Sequence, residues 1–243
     1  RSYRRNVVFK IPLRINYSTE HEEAVLNTLN SLRKFCPNYV YSYGAISLPI
    51  SNNFINNINK DKKTKKKYTP FNEDKDYTLF PVLLLEYVGS CDDDPTDEPY
   101  SFEEFIDNNL DNKHIIFSQL LQLMMALQIA QDNCKLTHYD LHLNNIYMLE
   151  CSENQHNTYI YKSKKYVVPT FGWYPVIIDM GVSYVNTLEG KPLSSHIDHY
   201  AYGFQSTLFD PLNDVHHCLF VVRDCIKDII EDLQESDKRS HIR

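Results

Sequence analysis

His138-Tyr139-Asp140-Leu141-His142-Leu143-Asn144-Asn145-Ile146 is the stretch on which the reading of this chain turns. An aspartate and an asparagine stand five residues apart in it, Asp140 and Asn145, with no helical or strand periodicity between them, so both sit on one loop. Upstream lies Ile115 to Asn133, apolar nearly all round through Leu120, Leu121, Leu123, Met124, Met125, Leu127 and Ile129, the pattern of a buried helix. Downstream, about 34 residues beyond Asn145, the strand-like run Val176-Ile177-Ile178 ends in Asp179-Met180-Gly181.

Further out, Ser101-Phe102-Glu103-Glu104 is a capping box that opens a short helix. Thr78 to Val88 is a strongly apolar strand, and Tyr39 to Ile50 is another. Between them, Asn52 to Asn72 is polar and carries the lysine run Lys60 to Lys67, which reads as a solvated loop. Cys91 to Pro99 is an acidic loop. Ser18 or Thr19 caps a helix that runs through about Phe35, with Glu20, Glu22 and Glu23 favourable in its first turn, and Cys36-Pro37-Asn38 breaks it. Val7 to Ile11 is a strand. After Thr137 the periodicity changes and short strands and loops run to about Val185, an irregular stretch runs to Pro211, and Asp214 to Leu233 is helical. No internal repeat is present. A strand, a helix and two strands precede a mainly helical half with short strands inserted: an α+β, two-lobed pattern.

Composition sets bounds around this. The 243 residues are 42% hydrophobic and 23% charged, ordinary for a globular chain with a sizeable core. The net charge of -7 argues against a general nucleic-acid binder. Six cysteines without a CxxC pair read as reduced thiols of a reducing, cytoplasmic compartment. No apolar run has the length to span a bilayer, and no signal peptide is visible. The first residue is not Met, so the natural chain is expected to extend upstream. His196, His199, His216 and His217 lack cysteines at ligand spacing and are not read as a zinc site.

Phosphoryl transfer needs the set of residues around Asp140. A carboxylate must receive or orient the proton of an incoming hydroxyl, and an asparagine oxygen and a second carboxylate must hold magnesium on the phosphates. Asp140, Asn145 and Asp179 supply these types in that order, and Gly181 is expected to let the backbone turn away from the metal.

HxDxxxxN followed by a strand and DxG resembles the catalytic core of the protein-kinase superfamily. Further matches follow in order from Val7 to about Arg223. Val7-Val8-Phe9-Lys10 resembles the strand that carries the phosphate-anchoring lysine, so the resemblance makes Lys10 that residue. Glu22 to Leu29 resembles the regulatory helix and implies a Lys10–Glu22 pair, with Glu23 as runner-up. Leu83-Leu84-Leu85-Glu86-Tyr87-Val88 resembles the hinge, with Leu85 as gatekeeper and backbone groups of Glu86 and Val88 on adenine. Asp214 to Val222 resembles the buried helix whose aspartate ties down the catalytic loop. The resemblance implies a small β-rich N-lobe over residues 1–88 and a helical C-lobe over 89–243, ATP and magnesium as cofactors, and Ser or Thr of a protein as acceptor. The segments 36–44 and 166–179 resemble serine/threonine kinases of large nucleocytoplasmic DNA viruses, which implies host cytoplasm or virion.

The departures are specific. No glycine-rich loop stands before Lys10, and it is expected upstream. Tyr139 replaces the usual arginine, which removes activation through a phosphorylated loop docked on it. His142 stands where protein kinases carry lysine, and two roles stay open for it: contact with the γ-phosphate, or packing. Asp-Leu-His is similar to haspin-like, RIO-like and small-molecule kinases. Met180 replaces phenylalanine, no Ala-Pro-Glu follows, and the last helices are expected to be missing or reduced. A pseudokinase that serves as a binding or structural module is therefore the alternative to a serine/threonine kinase, and a small-molecule kinase is a third reading.

Overall fold

A three-stranded antiparallel sheet opens the chain, in the order β1-β3-β2, formed by β1 (Val7–Lys10), β2 (Ser42–Ser51) and β3 (Tyr77–Glu86). The computed structural model describes residues 6–12, 18–60, 76–89, 99–195, 198–199, 204–205 and 207–240. The lysine-rich 61–67, the acidic 91–98 and His196 lie outside the described residues. In the sheet, Lys10 pairs with Leu83, Val8 with Leu85, and Ser42 also with Leu85. A bulge between Ser42 and Gly44, where Gly44 takes φ 103°, bends β2 as it enters the sheet.

Helix α1 (Ser18–Asn30) packs one face of this sheet through Val25, Leu26 and Leu29, all fully buried. At about 1.5–3 kcal/mol for each such side chain, this face holds the helix far more firmly than its weak intrinsic amphipathicity would. The helix ends earlier than the sequence suggests, at Asn30, and hydrogen-bonded turns carry the chain on to Phe35. The strand expected from Tyr39 starts at Ser42; Tyr39 makes an isolated parallel bridge to Ile177 instead. The other correction in this half is α2 (Asn52–Lys60), helical where the polar composition suggests a loop. Ile55 anchors it, buried with Phe80 and Val82 in a small second cluster.

The second half holds α3 (Phe102–Asn108), α4 (Lys113–Cys134) and α5 (Asn213–Ser240). Short antiparallel pairs are inserted among them: β4 (Ile146–Glu150) with β7 (Trp173–Ile177), and β5 (His156–Tyr161) with β6 (Lys164–Pro169). Two two-residue pairings complete the set, β8 (Val185–Asn186) with β9 (Pro192–Leu193), and β10 (Asp198–His199) with β11 (Phe204–Gln205). The capping box of α3 forms as read: Ser101 Oγ accepts from the Glu104 amide, and the Glu104 carboxylate accepts from the Ser101 amide.

Helix α4 is not uniformly buried. Phe117 and Leu121 are exposed, whereas Gln119 and Gln122 are fully buried. The β5–β6 hairpin explains this, because it brings polar partners to the first half of α4. Tyr159 Oη lies 3.2 Å from Gln122 Oε1, Asn157 Nδ2 donates to Gln122 Oε1 at 2.8 Å, and, just past β6, the Thr170 carbonyl accepts from Gln119 Nε2 at 2.9 Å. The architecture is thus a mixed α+β fold with small antiparallel sheets. Among the described residues no helix is long and apolar enough to cross a membrane, and the described cysteines are free thiols.

Candidate active site

The site begins at the end of β1. The Lys10 ammonium lies 2.8 Å from both carboxylate oxygens of Glu22 and 2.8 Å from Asp179 Oδ1. Glu22 also accepts from the Met180 amide at 3.3 Å, so one side chain of α1 touches both the lysine and the turn after Asp179. Adjacent helical residues point about 100° apart. Glu23 accordingly faces β2, where it accepts from the Ala45 amide at 3.1 Å. That settles which of the two glutamates meets Lys10; the sequence carried both.

One ammonium serves two carboxylates of unequal burial. Glu22 is 4% exposed, whereas the Asp179 side chain is 44% exposed. Burial, reinforced by the charge of Asp179, outweighs Lys10 and pushes the Glu22 carboxyl above its ordinary value. For Asp179, burial pulls the same way, but Lys10 overcomes it and holds the carboxyl below the usual range. Burial disfavours the charge on Lys10, yet the two carboxylates together hold its pKa above the ordinary lysine value.

Asp179 has φ 61°, a left-handed conformation that few non-glycine residues adopt outside functional or strained positions. The glycine after it is not the residue with positive φ, contrary to the sequence expectation. A Cβ on Gly181 would lie 3.3 Å from Asp179 Oδ1, and the Gly181 amide lies 3.4 Å from that same oxygen. Gly181 therefore supplies room beside the carboxylate, while the aspartate itself makes the turn.

The loop from His138 to Asn145 is anchored from below by Asp214, fully buried in the first turn of α5. Asp214 Oδ2 accepts from the His138 amide at 2.7 Å and Oδ1 from the Tyr139 amide at 3.0 Å. These bonds hold Tyr139 at φ 67°, an outlier for a bulky residue. His138 braces the loop from within. Its Nε2 lies 2.8 Å from the Ile178 carbonyl, which can only accept, so Nε2 carries the proton, and Nδ1 accepts from the Asp140 amide at 3.2 Å. The β4–β7 register sets Asn145 beside Ile178, whose amide donates to the Asn145 carbonyl at 3.0 Å. Asp140, Asn145 and Asp179 are thereby brought to one end of this two-stranded ladder.

Asn145 Nδ2 donates to the Asp140 carbonyl at 2.8 Å and approaches Asp140 Oδ2 at 3.3 Å, which turns its Oδ1 away from that carboxylate. The Asp140 side chain is about half exposed, 51%. His142 Nε2 lies 3.9 Å from Asp140 Oδ2, so the imidazole borders the carboxylate rather than packing in the core.

Of the hinge candidates, Leu85 and Val88 are buried. Glu86 does more than its backbone role suggested. Its carboxylate receives both terminal nitrogens of Arg33, Nη2 at 2.6 Å, and also the Tyr41 amide at 2.8 Å. Sequence reasoning missed this strut, because no local spacing links Arg33 to Glu86. It missed two others: His21 on the Ser183 carbonyl, and Tyr139 Oη on the Leu208 carbonyl at 2.5 Å.

Two carboxylates, Glu22 and Asp179, share the Lys10 ammonium, and the Asp140 carboxylate stands at the same end of the β4–β7 ladder, so carboxylates outnumber ammonium groups and the site is suited to a cation. The side chains that could hold one are hard oxygen donors, the Asp179 carboxylate and the Asn145 amide, and oxygens of this kind suit magnesium rather than zinc. Among the described residues no cluster of three or more His, Cys, Asp or Glu forms a self-sufficient metal cage. That donor set fits an ion that takes only one or two protein ligands and fills its shell with phosphate oxygens and water.

No family model matches the chain. It is 29% identical over 237 residues to "Uncharacterized protein 098R" of Invertebrate iridescent virus 6, covering 86% of this chain and 38% of that protein. It is 26% identical over 220 residues to "Uncharacterized protein 038R" of Invertebrate iridescent virus 3, covering 85% and 36%. The chain is thus similar to iridovirus proteins and spans well under half of their length.

Proposed function

We propose that this chain is the catalytic region of an ATP- and magnesium-dependent protein kinase that transfers the γ-phosphoryl group to Ser or Thr hydroxyls of a protein. The observation that carries this reading is the Lys10 ammonium clamped at 2.8 Å by Glu22, with Asp179 on its other side. A lysine, a helix glutamate and a strand-end aspartate, far apart in sequence, have no general structural reason to converge. Phosphate binding supplies one. The β1-β3-β2 sheet order, the Asp214 anchor and the Asp140–Asn145 bond support the same reading.

On this reading, residues 1–88 form an N-lobe and 89–243 a C-lobe, with the nucleotide between them. Lys10, oriented by Glu22, holds the α- and β-phosphates. Leu85 borders the adenine, and backbone groups of Glu86 and Val88 bind its edge. Asn145 and Asp179 hold magnesium, which when bound neutralises charge on the phosphate oxygens. Asp140 orients the acceptor hydroxyl and takes its proton as the oxygen bonds to the γ-phosphorus and the β–γ bridging bond breaks. His142, beside Asp140, is placed to meet the γ-phosphate. Most of the rate then comes from position and charge. The similarity to iridovirus proteins supports a viral origin, and host cytoplasm or virion as the place of action is part of this proposal.

A second reading, a pseudokinase that binds or scaffolds, is favoured by one feature. Tyr139, in the place of the usual arginine, is committed to a structural bond with the Leu208 carbonyl. The test is incorporation of labelled phosphate from ATP with magnesium into a panel of protein substrates, by the chain and by Asp179→Ala. Incorporation lost in the variant supports the kinase. No incorporation, and no rise in melting temperature with saturating magnesium–ATP, supports the scaffold.

A further inference from the structure

The residue just before Glu22 is built into the site in a way that its sequence position does not suggest. His21 is 8% exposed, and its Nε2 lies 2.9 Å from the Ser183 carbonyl. A carbonyl only accepts, so Nε2 carries the ring proton. Ser183 is itself fully buried in the turn that follows Asp179, where its amide donates to the Met180 carbonyl at 3.2 Å. Its Oγ lies 3.3 Å from the His138 carbonyl. One residue on, Thr137 and Tyr184 exchange backbone hydrogen bonds at 2.8 and 2.9 Å. The 180–184 turn is therefore fastened to the segment that leads into Asp140, and His21 fastens α1 to that turn.

We infer that His21 is a positioning residue: its hydrogen bond to Ser183 locks α1 onto the 180–184 turn and so holds Glu22 and Asp179 in register around Lys10. Glu22 reaches Met180 from the same helical turn at 3.3 Å, a long bond that does not by itself define where the helix sits. The 2.9 Å contact of His21 does, because a planar ring on a short stem has little freedom once buried. Three connections, two buried and the last partly so, then run in series, from α1 through Ser183 to His138 and on to the Asp140 amide. The helix that presents Glu22 and the loop that presents Asp140 thus share one support. The significance of that register for phosphoryl transfer rests on the function proposed above; the lock itself does not.

The experiment is amide hydrogen exchange of the nucleotide-free chain, read at Met180 to Tyr184, with strand β3 as internal reference, for wild type, His21→Gln and His21→Leu. Glutamine keeps an N–H near the position of Nε2, and leucine keeps buried volume without a donor. The expected result is exchange at Met180 to Tyr184 about 3- to 10-fold faster in His21→Leu, wild-type exchange in His21→Gln, and an unchanged β3 in both. Equal protection in the leucine and glutamine variants would overturn the assignment, since it would mean that His21 only fills space. Faster exchange spread equally over β3 would also overturn it, as a general loss of stability rather than a local lock. Because no nucleotide is present, a negative result here leaves the kinase reading standing, and an inactive kinase leaves this result standing.

Discussion

Asp214→Ala tests the structural basis of the site without presupposing its chemistry. The substitution removes the acceptor of two buried amides, His138 at 2.7 Å and Tyr139 at 3.0 Å. Each orphaned donor costs about 1–3 kcal/mol when no replacement partner reaches it. Two opposing terms reduce the sum. Burial pushes the Asp214 carboxyl above its ordinary value, so part of its desolvation is recovered on removal. Tyr139, freed from φ 67°, also relaxes part of a strain worth about 1–2 kcal/mol. The expected net loss is about 2–4 kcal/mol, read as a lower urea midpoint at unchanged slope. Asp214→Asn keeps one acceptor and should fall between the variant and wild type. Amide exchange at His138 and Tyr139 should rise more than in β3. A loss under about 0.5 kcal/mol, the range of ordinary surface changes, would refute the claim that this carboxylate holds the loop.

Other expectations follow from the same geometry. Lys10→Met should abolish any stabilisation by magnesium–ATP in a thermal shift assay, and leave the two carboxylates to repel one another. Because the folded-state pKa of Lys10 is raised, its contribution to stability is fully present below the ordinary value of 10.5 and is lost as pH rises through the higher folded value. The stability difference between wild type and Lys10→Met, followed by urea unfolding from neutral pH up to about pH 12, should therefore be flat up to that value and shrink above it. Asp179 behaves oppositely: its depressed pKa gives a contribution present above 3.8 that is lost as pH falls through the folded value, and Asp179→Asn should flatten the acid limb. Tyr139→Phe removes the bond to the Leu208 carbonyl and should lower stability by about 1 kcal/mol in the same assay. Gln122→Leu strips the Asn157 amide of its acceptor inside the β5–β6 contact and should cost about 1–3 kcal/mol despite the added apolar volume.

The elements of this protein were legible in sequence wherever a local rule decides them. The capping box at Ser101 and Glu104, the apolar strand ending at Glu86 and the long helix before Cys134 are all set by spacing and residue type over a few neighbours. Asp140, Asn145 and Asp179 could be singled out by residue type and order along the chain, and the β4–β7 register is what brings them to one end of a ladder. Pairings between distant segments were not legible. Choosing Glu22 over Glu23 depends on the rotation of α1 against β2, and the Arg33–Glu86 strut joins residues that meet only because β2 and β3 pair. The buried glutamines of α4 carry the same lesson. Composition marked that helix as apolar all round, yet the β5–β6 hairpin decided which of its faces meets polar partners. Local sequence determines what each segment can become, since backbone sterics and apolar periodicity act over a few residues. Which side chains share a charge or a proton is decided by packing, where distance and burial set the energies.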